Sequence, residues 1–310
     1  ELYELSGDKS IRAMAEKQTA KIGSILSSPI SHDIGFQVNC SYGNAYRITS
    51  DVKYLPLIED ASAALAARFN PNVGATLSWE AGVRGQFPVI IDNMMNLELL
   101  EKASKLFKCD SLEKIAIAHA RTTMKNHFRP DYTTWHMLDY DPETGRVIRK
   151  VTVQGYSDDS AWARGQAWAL YGYTMMFRET ALPEFLQQAE KVAEMLLEKL
   201  PDDGIPYWDF NDPGIPDAYR DASAAAVMCS AFIELGTLTS DKALSEKCLK
   251  IAEKQIRTLA GNDYLATPGA NGCFLLRHSV GNLPGNSEID VPLIYADYYF
   301  LEALKRYLSL

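Results

Sequence analysis

The strongest constraint on the fold is a repeat of helix pairs along the chain. Segments that are apolar on nearly every side begin near residues 35, 92, 160, 221 and 289, so successive starts differ by 57, 68, 61 and 68 residues. A helix that is apolar all round is buried all round. The helices between these segments carry one apolar stripe with charges opposite, which is typical of an outer layer. A recurrence of roughly 60 residues with one inner and one outer helix predicts a two-layer α/α toroid.

Two segments illustrate the two kinds of helix. Residues 160–177 contain a single charge, Arg164, among small, aromatic and aliphatic residues. Residues 183–197 follow a proline and repeat apolar side chains at three-and-four spacing on one face. The same reading predicts the other inner helices near 35–47, 92–107, 222–236 and 289–307, and the other outer helices near 8–26, 51–69, 111–126 and 241–258.

The links between helices differ in length. Inner-to-outer links such as 108–110 and 236–240 are short, whereas the outer-to-inner links cover about 70–91, 128–159, 201–220 and 260–288. Loops longer than about 12 to 15 residues are usually functional or disordered. All of them lead into inner helices, so we expect them at one mouth of the toroid, together with the site. A hairpin of 134–140 with 147–153 is predicted in one loop, but no sheet core, and the fold class is therefore all-α.

Composition excludes several classes of protein. The net charge is -9 and no run of Lys or Arg interrupts the sequence, which argues against nucleic-acid binding. No stretch approaches the roughly 18 to 20 apolar residues of a membrane span. The five cysteines form no CxxC pair, and the histidines lack metal-ligand spacing, so we expect no metal site.

Two isolated carboxylates, Asp33 and Asp92, begin successive inner helices. As toroid neighbours they are candidates for paired acid and base chemistry. Because Asp92 follows the apolar run 87–91, burial is expected to raise its pKa. The alternative is that each caps its helix, and the helix dipole would then lower its pKa. Position alone leaves both interpretations open, whereas 158–159 and Asp221 are predicted to be caps.

Other residues with candidate roles lie at the same mouth. Arg164 must meet an anion because its burial alone would cost several kcal/mol, and that anion is either a protein carboxylate or a ligand carboxylate. Trp168 lies one turn further on the same face and serves either as a sugar-stacking platform or as core. The long loops and helix starts add His32, Trp79, Trp135, His136 and Gln154.

The sequence resembles the bacterial unsaturated glucuronyl hydrolases of glycoside hydrolase family 88 over essentially its whole length. The similar motifs occur in the same order, and the block around Arg164 is the most specific. They are His32-Asp33-Ile-Gly-Phe36, Ile91-Asp92-Asn-Met-Met-Asn96, Asp139-Tyr-Asp-Pro-Glu-Thr-Gly145, Gly155-Tyr-Ser-Asp-Asp-Ser-Ala-Trp-Ala-Arg-Gly-Gln-Ala-Trp168 and Asp297-Tyr-Tyr-Phe-Leu-Glu302.

This resemblance implies an (α/α)6 barrel, a six-hairpin toroid, as one catalytic domain over 1–310. It also implies removal of a Δ4,5-unsaturated uronic acid from the non-reducing end of oligosaccharides left by polysaccharide lyases. The family hydrates the C4=C5 vinyl ether rather than displacing at the anomeric carbon, so carboxylate separation does not report stereochemistry. No metal or organic cofactor is implied. The implied partners are unsaturated uronate di- or oligosaccharides, with a monomer or homodimer.

By resemblance, Asp92 is the general acid and base, and Asp33 is a second essential aspartate that stabilises oxocarbenium charge. Arg164 is expected to bind the uronate carboxylate, and the tryptophans to stack on pyranose rings. The substrate-site residues implied are His32, Trp79, His136, Gln154, Arg164 and Trp168.

Two departures from the family qualify the resemblance. Ten helices can be counted where the barrel has twelve, and family members usually have a helix ahead of position 1 that brings an aromatic to the site, so the first helix is expected to be missing from these residues. Residues 277–287 show no lysine-bearing pattern of the kind associated with sulfated glycosaminoglycans. The sequence opens with Glu1 rather than Met, which leaves room for an upstream signal or lipoprotein peptide, and we favour the bacterial periplasm over the cytoplasm.

Two rival functions stay open at this point. The related unsaturated rhamnogalacturonyl hydrolases use the same chemistry on pectin fragments, although His32-Asp33 and Asp92-Asn-Met-Met favour the glucuronyl enzymes. A non-catalytic helical toroid that binds oligosaccharides is the rival from another class. It has no need for two carboxylates at the mouth.

Overall fold

The computed structural model describes residues 1–27, 31–80 and 85–310. The chain folds mainly into helices, joined by a π turn at Asn39–Gly43 and by 3-10 segments at Ile22–Ser27, Val52–Tyr54, Ile91–Asn96 and Asn271–Cys273. The α-helices are α1 (Leu2–Ser6), α2 (Lys9–Lys21), α3 (Ile34–Val38), α4 (Asn44–Thr49), α5 (Leu55–Ala66), α6 (Leu97–Phe107), α7 (Asp110–Asn126), α8 (Ala163–Thr180), α9 (Pro183–Lys199), α10 (Ala222–Leu238), α11 (Lys242–Leu259) and α12 (Ile294–Tyr307).

The helices form the two predicted layers. Every residue of α8 from Ala163 to Met176 is buried, as is every residue of α10 from Ala222 to Ile233. By contrast, α9 and α11 bury one face each. Each predicted inner or outer segment contains a helix, so the all-α toroid is confirmed.

The inner helices α8, α10 and α12 run in the same direction. Arg164, near the start of α8, binds Asp221, which caps α10, and Arg178, near the end of α8, binds Glu234 near the end of α10. Arg306, near the end of α12, also binds Glu234. The inner helices therefore begin at one end of the barrel, where the long loops enter.

Two inner helices begin later than predicted, α8 at Ala163 rather than near 160 and α12 at Ile294 rather than near 289. The apolar segment from residue 160 suggested a helix start there, but α8 begins at Ala163. The preceding residues pair with a neighbouring loop instead, because Phe210 donates its N–H to Ala161 and Ala163 donates its N–H to Trp208. Asp158 is consequently no cap of α8, and its carboxylate accepts from the N–H of Thr152.

The long loops hold more strand than predicted. Within the described ranges the strands are β1 (Phe69–Asn70), β2 (Ala75–Thr76), β3 (Phe87–Ile90), β4 (Met137–Tyr140) and β5 (Val147–Val151). The hairpin of β4 and β5 was predicted, but β3 was not, and it completes an antiparallel sheet in the order β3-β4-β5. The sheet has a small apolar cluster of its own, including Val89 and Leu138. The ladder continues past β3, because Ile91 donates its N–H to His136 at 2.9 Å.

Two glycines allow the inner helices to approach the 3-10 segment Ile91–Asn96. A Cβ on Gly35 would lie 2.4 Å from the Cβ of Asn96, and one on Gly172 would lie 2.5 Å from the Cβ of Met94. Such separations are far below van der Waals contact, so any side chain at these positions would force the elements apart. Gly35 thereby brings the start of α3 beside the segment that carries Asp92.

Candidate functional site

The inner-helix starts and the long loops enclose a cleft of about 280 Å³, which we call the mouth cleft. It contains polar and aromatic groups from at least four parts of the chain, as is typical of ligand sites. Its lining residues are Ser31, His32, Asp33, Phe36, Trp79, Ile90, Asp92, Met95, Gln154, Arg164, Trp168, Glu288 and Tyr295. The sequence prediction of one site at this end of the barrel agrees with this placement.

A larger surface groove of about 610 Å³ lies elsewhere, between α9 and α11. Its charged walls are mixed, with Lys247 and Lys250 on one side and Glu194 and Glu198 on the other. It contains none of the predicted site residues. The mouth cleft is therefore the better candidate, because chemistry rather than size distinguishes the two.

Asp33 does not cap α3. Its side chain makes no bond to a backbone N–H of that helix in the described part of the chain. The carboxylate instead accepts from the Ser31 hydroxyl at 3.3 Å, lies 3.4 Å from Nε2 of His32, and is 42% exposed. The capping interpretation is wrong for this residue, and its oxygens face the cleft.

Asp92 does not act as a cap either. It lies in the first turn of the segment Ile91–Asn96, and its Oδ2 atom is buried without a hydrogen-bond partner among the described residues. Nε2 of His136 faces that oxygen at 3.5 Å, a distance too long for a full hydrogen bond. A buried carboxylate oxygen without a full partner is costly, and it is the kind of group that a ligand or water would satisfy.

The prediction of a raised pKa for Asp92 is wrong. Burial does raise this pKa, but the nearby groups His136, His32 and Arg164 lower it by more, and the pKa lies below its usual value. The sequence argument counted only the apolar run before Asp92. It could not include His136, which the β3–β4 ladder brings in from a loop more than 40 residues away.

Both histidines beside the carboxylates are buried and fixed from behind. Nδ1 of His32 lies 2.9 Å from Nδ2 of Asn96, and Nδ1 of His136 accepts from the backbone N–H of Gln154 at 3.2 Å. Burial lowers the pKa of His32. His136 also packs against Trp162 in a tilted arrangement, with ring centroids 4.8 Å apart. It lies behind Asp92 rather than in the wall of the cleft.

Arg164 meets the first of the two anions considered for it, a carboxylate of the protein. Its guanidinium binds Asp221 at 3.1 Å, donates to the carbonyl of Gly281 at 2.6 Å and also donates to the carbonyl of Val280. Asp221 in turn caps α10 as predicted. The anion that Arg164 required is therefore a protein carboxylate, and the side chain, in a residue only 3% exposed, cross-links three elements.

The aromatic and amide groups divide between rim and core. Trp79 is 38% exposed, with its ring 6.5 Å from that of His32, so it is open to stacking. Trp168 packs edge-on against Tyr299 and presents little surface to the cleft. Gln154 donates its side-chain amide to Gly281 at 3.0 Å. Trp135 does not reach the mouth cleft, and its ring is covered instead by charged side chains.

Sequence reasoning missed four residues of interest. Phe36 and Asn96 close two of the quoted motifs, so a signal for them was present. Tyr295 lies in the first turn of α12. Glu288 has a φ of 53° in an irregular loop, and nothing in the sequence pattern indicated that it faces the cleft.

Comparisons with known proteins agree with this arrangement. The model of Glycosyl Hydrolase Family 88 matches residues 2–303. An unsaturated glucuronyl hydrolase of Formosa agariphila is 46% identical over 98% of this chain and 76% of its own length. An unsaturated chondroitin disaccharide hydrolase of Streptococcus pyogenes serotype M1 is 31% identical over 98% of this chain and 77% of its own.

A solved structure is similar over nearly the whole of this chain. The crystal structure of an unsaturated glucuronyl hydrolase specific for heparin matches with a TM-score of 0.96 and 50% identity. The match covers 99% of this chain and 82% of the other. The similarity thus includes the loops that build the mouth cleft as well as the barrel helices.

Proposed function

Because the chain belongs to glycosyl hydrolase family 88, we propose that it removes a Δ4,5-unsaturated uronic acid from the non-reducing end of lyase-generated oligosaccharides. The whole chain then acts as one catalytic barrel. The observation that supports this most directly is a pair of carboxylates in one cleft with different surroundings. Asp92 is buried against an imidazole, whereas Asp33 is substantially exposed.

The chemistry begins with proton addition to C4 of the vinyl ether, which leaves positive charge shared between C5 and the ring oxygen. Water then adds at C5 and gives up a proton. The resulting hemiketal opens and frees the neighbouring sugar. One group can serve as both the acid and the base, because the proton lost from water replaces the proton given to C4.

We assign the proton transfers to Asp92. Its low pKa makes it a carboxylate in the empty protein. A uronate that enters the cleft brings a second negative charge and displaces water, and both changes raise the pKa of Asp92. Substrate binding therefore favours the protonated form needed for the first step.

Asp33 is assigned the stabilisation of positive charge. Its carboxylate lies in the same cleft wall and holds only weak contacts with Ser31 and His32. A fixed negative group beside a developing oxocarbenium ion lowers the barrier without reorganisation.

Substrate contacts are assigned to groups with free surface. Trp79 at the rim is the stacking platform, and His32 and Gln154 contribute polar edges. Arg164 and Trp168 shape the floor of the cleft, and His136 orients Asp92. Arg164→Ala should therefore lower stability as well as affinity for substrate.

The partners are small unsaturated uronate saccharides, bound by a monomer or homodimer without nucleic acid. Among the described residues, no helix is both long and apolar enough to cross a bilayer. No three His, Cys, Asp or Glu side chains in the described ranges converge as a metal site. The proposed reaction requires no metal.

The test follows the loss of ultraviolet absorbance of the alkene with unsaturated heparin, chondroitin, hyaluronan and gellan disaccharides. The solved structure at 50% identity is of an enzyme specific for heparin, so heparin fragments are the first substrates to test. An unsaturated rhamnogalacturonyl disaccharide tests the pectin alternative. Decay in the parent and decay about 10³-fold slower in Asp92→Asn is the expected result, and absence of decay in the parent with every substrate would refute the proposal.

A further inference from the structure

Each carboxylate of the mouth cleft faces one nitrogen of a buried imidazole. Nε2 of His32 lies 3.4 Å from Oδ1 of Asp33, and Nε2 of His136 lies 3.5 Å from Oδ2 of Asp92. A neutral imidazole carries its proton on either ring nitrogen. The group that bonds the far nitrogen, Nδ1, decides which tautomer is present.

Asn96 fixes that choice for His32. The N–H of Phe36 donates to Oδ1 of Asn96 at 2.8 Å, and this bond assigns the oxygen of the amide. Nδ2 of Asn96 therefore points at Nδ1 of His32, at 2.9 Å, and an amide nitrogen only donates. Nδ1 of His32 must accept, so the ring proton is on Nε2 and points toward Asp33.

The same logic applies at His136 with a different donor. The backbone N–H of Gln154 donates to Nδ1 at 3.2 Å, so the proton of that ring is also on Nε2, toward Asp92. In both pairs the Nε2–H of the histidine points toward the carboxylate, although the donors to Nδ1 come from unrelated parts of the chain. Substitution of Asn96 does not remove this backbone donor, which makes His136 an internal reference.

We propose that Asn96 is a positioning residue that holds His32 as the neutral Nε2–H tautomer, so that His32 donates toward Asp33 without neutralising it. An imidazolium at this position would form an ion pair with Asp33 and cancel the negative charge available to the substrate. The importance of this tautomer for turnover rests on the proposed function, whereas the tautomer itself does not.

Several features favour this role over simple packing. The Asn96 residue is 1% exposed and both arms of its amide are used, one on the backbone of α3 and one on His32. Gly35 leaves room for it. Burial also lowers the pKa of His32, against the opposing effect of Asp33 and Asp92, while Arg68 and His136 lower it further.

The decisive variant is Asn96→Asp, which keeps the shape and the oxygen that accepts from Phe36 but replaces the donor to His32 with an acceptor. Asn93→Asp is the matched control. Asn93 is equally buried in the same segment, and its amide donates to Thr76 and accepts from Ser78, not from a histidine. Both variants lose the donor group of a buried amide, which serves two oxygens of Thr76 in Asn93 and the ring of His32 in Asn96.

The primary measurement is the protonation of ring nitrogens by NMR of the ligand-free protein with isotopically labelled histidine. The chain has five histidines, and a His32→Gln variant assigns the signal. We expect His32 to carry its proton on Nε2 in the parent and in Asn93→Asp, and to gain a proton on Nδ1 in Asn96→Asp. His136 should be unchanged throughout.

The kinetic readout follows from the tautomer. We expect kcat to fall about 10- to 100-fold in Asn96→Asp with a smaller change in KM, since loss of an orienting hydrogen bond costs this much in other sites. If Asn96→Asp does not fold, Asn96→Ala should give a mixture of His32 tautomers. A proton on Nδ1 in the parent, or an unchanged His32 in a folded Asn96 variant, would overturn the proposal. Because the NMR experiment needs no substrate, failure of the proposed function would be seen separately, as absence of turnover in the parent.

Discussion

Buried carboxylates lie both at the mouth and deeper in the barrel, near the ends of α8 and α10, and they differ in their partners rather than in their burial. At the mouth, the Asp92 side chain is 17% exposed and has one long contact, to His136. Toward the other end, the Glu98 side chain is 11% exposed and binds Arg178, Lys102 and Asn39 at 2.6 to 3.0 Å. Burial alone therefore does not identify a reactive carboxylate. What distinguishes Asp92 is its place in the mouth cleft together with an Oδ2 atom that lacks a full hydrogen bond among the described residues.

Glu98 belongs to a set that we call the ion network, whose contacts join α6, α8, α10 and α12. Arg178 bonds Glu98 and Glu234, each at 2.6 Å, and Arg306 lies 3.0 Å from Glu234 and 3.6 Å from Glu302. The members of the ion network are Glu98, Arg178, Glu234, Glu302 and Arg306. Removal of one member would leave buried charge uncompensated. We therefore expect the ion network to contribute to stability, and the mouth cleft to contribute to the chemistry.

The largest expected effect is a loss of activity when a carboxylate of the mouth cleft, rather than one of the ion network, is replaced. Asp92→Asn should lower kcat about 10³-fold, since it removes the proposed acid and base, and should lower the melting temperature slightly, because a lowered pKa means that the ionised Asp92 stabilises the folded protein. Glu302→Gln is the matched isosteric change in the ion network and should leave kcat within about 2-fold, because it touches no reacting group. Steady-state rates and thermal melts of both variants measure this. Equal loss of kcat in the two would contradict the distinction.

The next largest effect is a loss of stability when a member of the ion network is replaced. Arg178→Met should lower the free energy of unfolding by about 3 kcal/mol, because Glu98 and Glu234 lose a shared partner. Arg121→Met is the control, since Arg121 pairs with Glu184 at 2.7 Å on the surface and should cost at most about 1 kcal/mol. Chemical denaturation gives both numbers. Similar losses would show that the ion network is not specially coupled.

A third variant couples packing to the mouth cleft. Gly35→Ala places a Cβ 2.4 Å from that of Asn96, and the resulting shift of α3 should cost about 1 to 3 kcal/mol and also reduce kcat/KM. Gly214→Ala meets only the end of the Asp212 side chain, at 3.1 Å, and should do neither. Denaturation and turnover assays on the two proteins compare them. A Gly35→Ala enzyme with parental activity would show that the cleft tolerates this displacement.

The last comparison concerns the pH dependence of stability within one helix, α6. Glu101 has no partner for either carboxylate oxygen among the described residues, and burial, with Glu113 and Glu179 nearby, raises its pKa to about 8 against the opposing effect of Lys105. The folded protein thus retains a proton that the unfolded chain releases above pH 4.5, and this residue destabilises the fold increasingly from pH 4.5 to about 8. Glu101→Gln should raise the melting temperature at pH 8 and change it little below pH 4.5.

Glu98, on the same helix, is expected to change the stability with pH in the opposite direction to Glu101. Burial raises its pKa, but Lys102, Arg178 and Arg306 lower it by more, to about 2. Its ionised form therefore stabilises the fold above pH 4.5, and this contribution is lost as the pH falls toward 2. Glu98→Gln should lower the melting temperature at pH 7, and its effect should shrink in acid. The same sign for both variants would contradict the contrast between them.

The sequence predicted the helices well because their signals are local. Periodic apolar residues after Pro183 define α9, and near-continuous apolar residues define α8 and α10. β3 escaped prediction because its partner strand lies about 50 residues away and its run of apolar residues does not alternate.

The sequence predicted which residues form the candidate site better than it predicted the contacts between them. Asp33 and Asp92 were expected in one cleft because they begin neighbouring inner helices. The partner of Arg164 and the imidazole beside Asp92 depend on loops that cross the barrel mouth, and spacing along the chain carries no information about such contacts. The pKa of Asp92 was mispredicted for this reason.

The bond from Ile91 to His136 places the imidazole by strand register. Side chains alternate between the faces of a strand, so a slip of one residue between β3 and β4 would turn His136 away from Asp92. Insertions and deletions should therefore accumulate elsewhere during evolution. We expect related chains to vary in length within the surface loops while the spacing from β3 to Asp92, and from His136 to β4, remains fixed.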